Sequence, residues 1–330
     1  MNRFWIAIAA VAVVCGIFAG CNQRKTPDSL TALQSAQKTE WKLPGPVISW
    51  TGLFVSSDRK FALMIGLEGE ELRSSLWRLD LQTGQVENIL PEGAALLRCS
   101  RDGRRIAFGG LWYEIHIKDL STGKEAVFNK GTIGYPGHME WAGDHLLVSE
   151  PTESPLKAYY PNGSSNETKV FGEILGSDIA GQRLLVRTYS QDSIVPCPEG
   201  KTAISVVSPT GNLLRVLAVS SGDFTAIISR KGEFALLYFF RDSDKSQVIS
   251  IETGETFPLP VFEYPEAPFA IADTGEMIAM NSFKLVLWSK DGKRADLADN
   301  VVTGTFLNKE IFFIQFAGED TYLKAIPFPR

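Results

Sequence analysis

The sequence predicts an all-β fold, and three observations support this prediction. Short runs alternate between apolar and polar residues, as in residues 76–81 (LWRLDL), which is the period of a half-buried strand. Several of these runs end in a Thr-Gly or Asp-Gly pair, such as Thr83-Gly84, where glycine supplies the positive φ that a hairpin turn requires. Segments with the 3.6-residue apolar period of a helix are missing from the part of the chain that carries these runs.

A second pattern, a polar turn followed by a short apolar run, recurs along the chain. Residues 100–108 (SRDGRRIAF) are a clear copy. The first core residues of the seven copies are Phe61, Ile106, Leu146, Leu184, Phe234, Ile278 and Ile311. They are 33 to 50 residues apart, and four-stranded propeller blades repeat at about 40–45 residues. We therefore predict a seven-bladed β-propeller over residues 45–330, with six or eight blades as open alternatives.

The last copy predicts how the ring closes. Residues 301–330 leave room for three strands only. A β-prone run at about residues 46–50 (PVISW) precedes the first copy. We expect this N-terminal run to supply the fourth strand of the last blade, because closing the ring removes exposed strand edges.

The two recurrent turns also resemble those of a known repeat family. Residues 100–103 (SRDG) and residues 76–84 (LWRLDLQTG) are similar to the paired turns of TolB-type (PD40, WD40-like) β-propeller repeats. The similarity extends over about residues 45–330. It implies the same propeller fold.

The N-terminal segment has the layout of a secretory signal peptide. Arg3 precedes an almost wholly apolar stretch at residues 4–18, and small residues then lead to Cys21. Residues 18–21 (FAGC) resemble the lipobox of bacterial lipoproteins, although that family prefers Leu at the position of Phe18. The resemblance implies that residues 1–20 are removed and that Cys21 carries acyl chains, palmitate among them. An uncleaved anchor and a plain signal peptide are the alternatives.

The next segment, residues 21–44, is predicted to be the lipidated cysteine and a flexible tether, because it is polar and contains few large apolar residues. The anchor places the protein in the bacterial cell envelope. Asn22 follows the cysteine, and the sorting rule of the lipoprotein family then implies the periplasmic side of the outer membrane in a Gram-negative host. In a Gram-positive host we expect the outer face of the cytoplasmic membrane.

The sequence contains no pattern that points to catalysis, a metal or another cofactor. Its three histidines, His116, His138 and His145, lack metal-ligand spacing, and neither a nucleophile elbow nor a phosphate-binding glycine loop occurs. The formal net charge of −5 argues against nucleic acid as a partner, because phosphate binding needs clustered positive charge. Cys99 and Cys197 could form a disulfide, which the sequence leaves open.

The loops at one rim of the ring are the predicted binding surface. If the Asp-Gly and Thr-Gly turns share one face, the remaining loops share the other. Aromatic and Arg side chains, the usual interface hot spots, occur in these loops, and Glu150 and Glu266 accompany them. The selected binding residues are Trp112, Tyr135, Tyr189, Tyr264, Arg73 and Arg241. Packing of these aromatic residues between blades is the alternative.

We therefore predict a membrane-anchored, non-catalytic scaffold that binds another envelope protein or a glycan. Propellers host many functions, so the fold does not decide between them. The alternative is a propeller enzyme, a lyase or a glycan-active enzyme, that uses carboxylates near the central channel. That alternative requires paired acidic residues with raised pKa values near the axis.

Overall fold

The computed structural model describes residues 39–44, 49–68, 73–90, 95–100, 102–109, 114–129, 138–149, 154–189, 197–259 and 267–328. These residues form seven antiparallel sheets of four strands each. The sheets are the blades of a seven-bladed β-propeller, which confirms the fold prediction. Blades are numbered below in chain order, starting with the one that contains β2.

Blades 1 to 4 each contain four consecutive strands. Their strands are β2 (Ser49–Val55), β3 (Phe61–Glu68), β4 (Arg73–Asp80) and β5 (Val86–Leu90); β6 (Ala95–Cys99), β7 (Arg105–Gly109), β8 (Ile115–Asp119) and β9 (Glu125–Phe128); β10 (Met139–Ala142), β11 (His145–Val148), β12 (Pro155–Tyr159) and β13 (Ser165–Phe171); β14 (Glu173–Ser177), β15 (Leu184–Thr188), β16 (Thr202–Val207) and β17 (Leu213–Ser220).

Blades 5 and 6 follow the same plan, whereas blade 7 combines the two ends of the described chain. Their strands are β18 (Phe224–Ile228), β19 (Phe234–Phe239), β20 (Gln247–Ser250) and β21 (Thr256–Pro258); β22 (Ala267–Ile271), β23 (Met277–Asn281), β24 (Lys284–Trp288) and β25 (Arg294–Ala298); β26 (Val301–Leu307), β27 (Glu310–Ala317), β28 (Asp320–Pro327) and β1 (Thr39–Leu43). A single 3₁₀ turn, Ser243–Lys245, lies within the described part of blade 5.

The seven copies of the turn pattern correspond to the seven blades. The first core residue of every copy lies at the first or second position of a blade's second strand. A buried serine explains part of the pattern. The hydroxyl of Ser56 accepts hydrogen bonds from the backbone N–H groups of Lys60 and Phe61, both at 3.1 Å. Ser229 repeats this arrangement in blade 5 with the N–H of Phe234, at 3.1 Å. The serine therefore satisfies backbone donors that the tight turn leaves unpaired.

The first strand of each blade lies nearest the centre of the ring. First strands of neighbouring blades lie against one another, as β10 does with β6 and β14. Apolar side chains fill the space between adjacent blades, for example Trp141 and Leu146 between blades 2 and 3. The core is therefore seven wedges of apolar side chains rather than one central cluster.

The closing strand differs from the sequence prediction in position. The N-terminal strand that completes blade 7 is β1 (Thr39–Leu43), which pairs with β28, and not a strand at residues 46–50. Residues 45–48 lie outside the described part, and Ser49 and Trp50 begin β2, the first strand of blade 1. The prediction missed β1 because this strand lies at the outer edge of its blade and, with Thr39, Glu40 and Lys42, is as polar as a linker. Its charged residues pair with the neighbouring strand, Lys42 with Asp320 at 2.8 Å and Glu40 with Lys324 at 2.7 Å.

Strand β1 is fixed by apolar and polar contacts. Leu43 is 3% exposed and packs in the wedge between blades 7 and 1. The indole N–H of Trp41 donates a hydrogen bond to the carbonyl of Leu81 in blade 1, at 3.3 Å. Thr39 pairs with Ala325, near the C-terminal end of β28. The chain therefore enters the ring at that end of blade 7.

Candidate functional site

The direction of the strands divides the ring into two faces. Because neighbouring strands are antiparallel, the connections from first to second and from third to fourth strands share one face, here called the turn face. The connections from second to third strands, and those between blades, share the opposite face, here called the loop face. The turn face carries the short Gly-containing turns, such as residues 81–85, and the loop face carries the longest connections, such as the one between β15 and β16, together with the short ones between β13 and β14 and between β23 and β24. This arrangement is the one that the sequence predicted.

Two of the predicted binding residues lie on the loop face with their side chains described. Tyr189 directly follows β15 of blade 4, and Arg241 follows β19 of blade 5; both are exposed. The guanidinium of Arg241 has no ionic partner among the described residues. Trp112, Tyr135, Tyr264 and Cys21 lie outside the described residues, as does the side chain of Arg73, so their roles stay predictions.

Three exposed aromatic side chains occupy the loop face of consecutive blades. Tyr189 of blade 4 is 49% exposed, Phe240 of blade 5 is 58% exposed and Phe283 of blade 6 is 54% exposed. Each belongs to the connection between the second and third strands of its blade. Large apolar side chains exposed together on one face are typical of interaction surfaces, and aromatic residues are enriched there.

The turn that carries Phe283 has an unfavourable backbone. Asn281 pairs with Lys284, so Ser282 and Phe283 form a two-residue hairpin loop. Both have positive φ, 45° and 67°, a combination for which Asn and Gly are the usual residues. A bulky residue in this region costs of the order of 1–3 kcal/mol. The carbonyl of Phe283 accepts a hydrogen bond from the N–H of Val301 at 2.7 Å, which ties the loop to blade 7.

A polar cluster lies beside Tyr189, centred on the carboxylate of Glu173, the first residue of β14. The phenol of Tyr189 donates to Oε2 of Glu173 at 2.6 Å, and Nε2 of His138 lies 2.8 Å from Oε1. Nη1 of Arg187 lies 3.3 Å from Oε2, while Nη2 donates to the carbonyl of Phe224 at 2.7 Å. The cluster therefore connects blades 3, 4 and 5 where their first strands begin.

The cluster holds Glu173 in its ionised form. Burial raises the pKa of this carboxyl, but hydrogen bonds from His138 and Tyr189, together with the nearby charges of His138 and Arg187, lower it to about 2. Burial, and then the hydrogen bond to Glu173, raise the pKa of the Tyr189 phenol. A carboxyl group that stays ionised at neutral pH positions donors and cannot act as a general acid. The cluster is therefore suited to orienting Tyr189 at the surface.

Gly172 makes the close approach of these residues possible. It has a φ of 109°, and a Cβ at this position would lie 2.4 Å from the carbonyl oxygen of Arg187. Only glycine fits both requirements. No sequence pattern points to Glu173, Arg187 or the role of His138, because three separate segments supply these residues and no local spacing connects them. Phe283 was missed because its turn contains no glycine.

The turn face contains a cavity at the central channel. Its volume is about 190 Å³, and its walls are the ends of the first strands of blades 1, 5, 6 and 7. Phe54, Phe269 and Phe306 supply apolar wall, and Arg230 and Asp273 supply charge. Arg230 donates a hydrogen bond across the ring to the hydroxyl of Ser57 in blade 1. The mouth of the cavity is thus partly spanned by a side-chain contact between blades 5 and 1.

The ionisable groups give no sign of catalytic carboxylates in the described part of the chain. Every resolved carboxyl pKa shift there is downward, as for Asp80 and Asp119 on turns. His116 lies between Glu125, at 2.6 Å, and Glu114, at 3.5 Å.

Among the residues that the structure describes, no group of three or more His, Cys, Asp or Glu is arranged to hold a metal ion. Cys99 and Cys197 are free thiols, so they form no disulfide.

Comparison with solved structures supports the fold. The β-propeller domain of Myceliophteria thermophila Cps50 (Swd1) is similar at 12% identity and a TM-score of 0.58, covering 86% of this chain and 99% of that one. A chain of the mitotic checkpoint complex is similar at 11% identity and a TM-score of 0.57, covering 96% and 99%. A chain of Kuenenia stuttgartiensis hydrazine synthase gives 11% identity and a TM-score of 0.54, covering 85% and 96%. The chain has a WD40-like β-propeller fold.

These similarities show the fold alone, because the identities are 11–12%. No protein-family model and no curated protein matches the sequence. Within the described residues, no helix has the length and apolar character needed to cross a membrane.

Proposed function

We propose that the protein is a lipid-anchored, extracytoplasmic scaffold whose loop face binds another protein of the cell envelope. One observation carries the binding role, the exposed aromatic residues Tyr189, Phe240 and Phe283 on three consecutive blades. Arg241 beside Phe240 adds a second hot-spot residue type. The Glu173 cluster supports this role, because it holds Tyr189 in one orientation and so reduces the conformational entropy that binding would cost.

The anchoring part of the proposal rests on the resemblance of residues 18–21 to a lipobox. The direction of β1 determines the face of the ring from which a tether would arrive. Thr39 pairs with Ala325, at the turn-face end of blade 7, so a tether that ends at Thr39 approaches the ring from the turn face. Residues 22–38 would then connect the membrane to that face. The loop face would point away from the bilayer, where it is accessible to a partner.

Site-specific photo-cross-linking in intact cells tests the binding role. A photoreactive phenylalanine analogue is introduced in place of Phe240, Phe283 or, as a control, Val127. Val127 is 42% exposed but lies on β9, the outermost strand of blade 2. We expect one defined envelope protein, identified by mass spectrometry, to be captured from positions 240 and 283 and not from position 127. Equal capture at all three positions, or no protein product from the loop face, would refute the role.

Membrane partitioning tests the anchor separately. The substitution Cys21→Ser removes the thiol that would carry the acyl chains. We expect wild type to partition into detergent and Cys21→Ser to lose the signal-peptide cleavage of a lipoprotein. Unchanged cleavage and unchanged partitioning would contradict lipidation at Cys21 while leaving the loop-face binding result unaffected.

A further inference from the structure

The outermost strand of blade 4, β17, presents an apolar edge. Four of its eight residues are large, apolar and more than 40% exposed, namely Leu213, Leu214, Val216 and Val219. Its outer side has no neighbouring strand in the described part of the chain, because β17 ends its sheet. A long apolar edge with unpaired N–H and C=O groups is a template for another strand.

The other outermost strands carry the features that usually prevent such pairing. They have charged side chains or, in β21, a length of three residues that ends in proline; both features block edge pairing. The charged residues are Glu40 and Lys42 in β1, Glu87 in β5, Glu125 in β9, Glu167 and Lys169 in β13, and Arg294 and Asp296 in β25. Strand β17 is also the longest of the seven as described.

The only charged residue of β17 is directed away from this edge. Nε of Arg215 donates to the carbonyl of Ile251, and Nη2 donates to that of Glu252 at 2.7 Å, both in blade 5. Gly254 leaves room for this contact, because a Cβ there would lie 2.1 Å from Nη1 of Arg215. The guanidinium is thus held by the neighbouring blade. The four side chains of β17 that are exposed are therefore all apolar.

Two bulges shape the edge without blocking it. The pairing of β16 with β17 skips Leu214 and Leu217. Bulges are one way to protect an edge strand by twisting it. Here, however, the extra residue in the bulge closer to the start of β17 is Leu214, whose side chain is 48% exposed. The bulge therefore extends the apolar surface instead of replacing it with a polar side chain.

We propose that the occupant of this edge is β17 of a second copy of the chain. An uncharged edge has no attraction for a charged partner strand, whereas an antiparallel copy of itself brings together apolar residues and no like charges. Such a contact is isologous and closes as a two-fold dimer, the commonest form of assembly. Pairing centred on Val216 places this residue beside Val216 of the other copy, and Leu213 beside Val219, all on one face of the joined sheet. The loop faces of both copies stay free.

Cysteine cross-linking of the full chain in cells tests this dimer. Val216→Cys is compared with Val127→Cys, a matched control, because both valines are on outermost strands and 42% exposed. We expect a short bismaleimide to give about ten times more product of twice the chain's mass with Val216→Cys than with Val127→Cys. This ratio is the one that a tenfold difference in association constant would produce. Adding Val219→Lys to Val216→Cys should remove that product, and adding Val127→Lys should not.

Three results would overturn the proposal. They are equal dimer yields from positions 216 and 127, a product that joins position 216 to a different protein, and a dimer yield that Val219→Lys leaves unchanged. Because Val219 is exposed and outside the apolar wedges, a normal thermal unfolding midpoint for Val219→Lys would confirm that the ring itself is intact.

Discussion

Replacing Glu173 by glutamine should destabilise the propeller in a way that depends on pH. The carboxyl has a pKa of about 2 in the folded chain, compared with 4.5 for the free group. A difference of one pH unit corresponds to about 1.4 kcal/mol, so the full difference corresponds to about 3 kcal/mol. His138 and Tyr189 are about half exposed, and solvent screening reduces the value to about 1–2 kcal/mol.

The sign follows from the lowered pKa. The stabilisation is fully present above the unfolded pKa of 4.5 and is lost as the pH falls towards 2. We expect Glu173→Gln to lower the free energy of unfolding by about 1–2 kcal/mol at pH 7, and more than half of that difference to disappear by pH 3. Urea unfolding of both proteins from pH 7 to pH 3 measures it, and Glu167→Gln on the exposed strand β13 is the control. A difference that is constant with pH would refute the electrostatic explanation.

Three further predictions concern other parts of the ring. Leu43→Ala, in the closing strand, should lower the free energy of unfolding by about 3 kcal/mol because it leaves a cavity. The control Val127→Ala, at an exposed position, should change it by less than about 0.5 kcal/mol, and similar losses for both variants in chemical denaturation would contradict closure by β1. Phe283→Gly should raise the thermal unfolding midpoint by about 2 °C, because glycine adopts the positive φ without strain, and a lower midpoint in calorimetry would contradict the strain. Burial raises the pKa of the Cys99 thiol to about 12, so this thiol should be unreactive in the folded protein at pH 8. In a Cys197→Ser variant we expect iodoacetamide to modify Cys99 only after unfolding, and fast modification of Cys99 in the folded protein, mapped by peptide mass, would count against this.

The blade pattern could be predicted because each copy forms a tight turn between the first and second strands of its blade. A tight turn leaves backbone donors unpaired, and in blades 1, 2, 4 and 5 the serine or aspartate that follows the first strand accepts their hydrogen bonds, as Ser56 and Ser229 do. Such a requirement leaves a signal at a fixed spacing. The closing strand left none, because the composition of β1 resembles that of a linker and its partner β28 is at the other end of the chain.

The surface was predictable in part. The alternation of strand direction is enough to assign loops to faces, so Tyr189 and Arg241 were placed on the loop face in advance. The residues that orient Tyr189 could not be found, because Glu173 and His138 meet only when two blades pack together. Phe283 was equally hidden, since its loop holds a backbone conformation that its own residue types disfavour.

Because β1 pairs with β28, the ring joins a strand that is synthesised before the six other blades to a strand that is synthesised after them. A ribosome that has made six blades has produced an open arc, and the pairing of residues 39–43 must wait for residues 321–325. Contacts between such distant positions make folding slow. A chain that stops before β28 therefore leaves β1 without the strand with which it pairs.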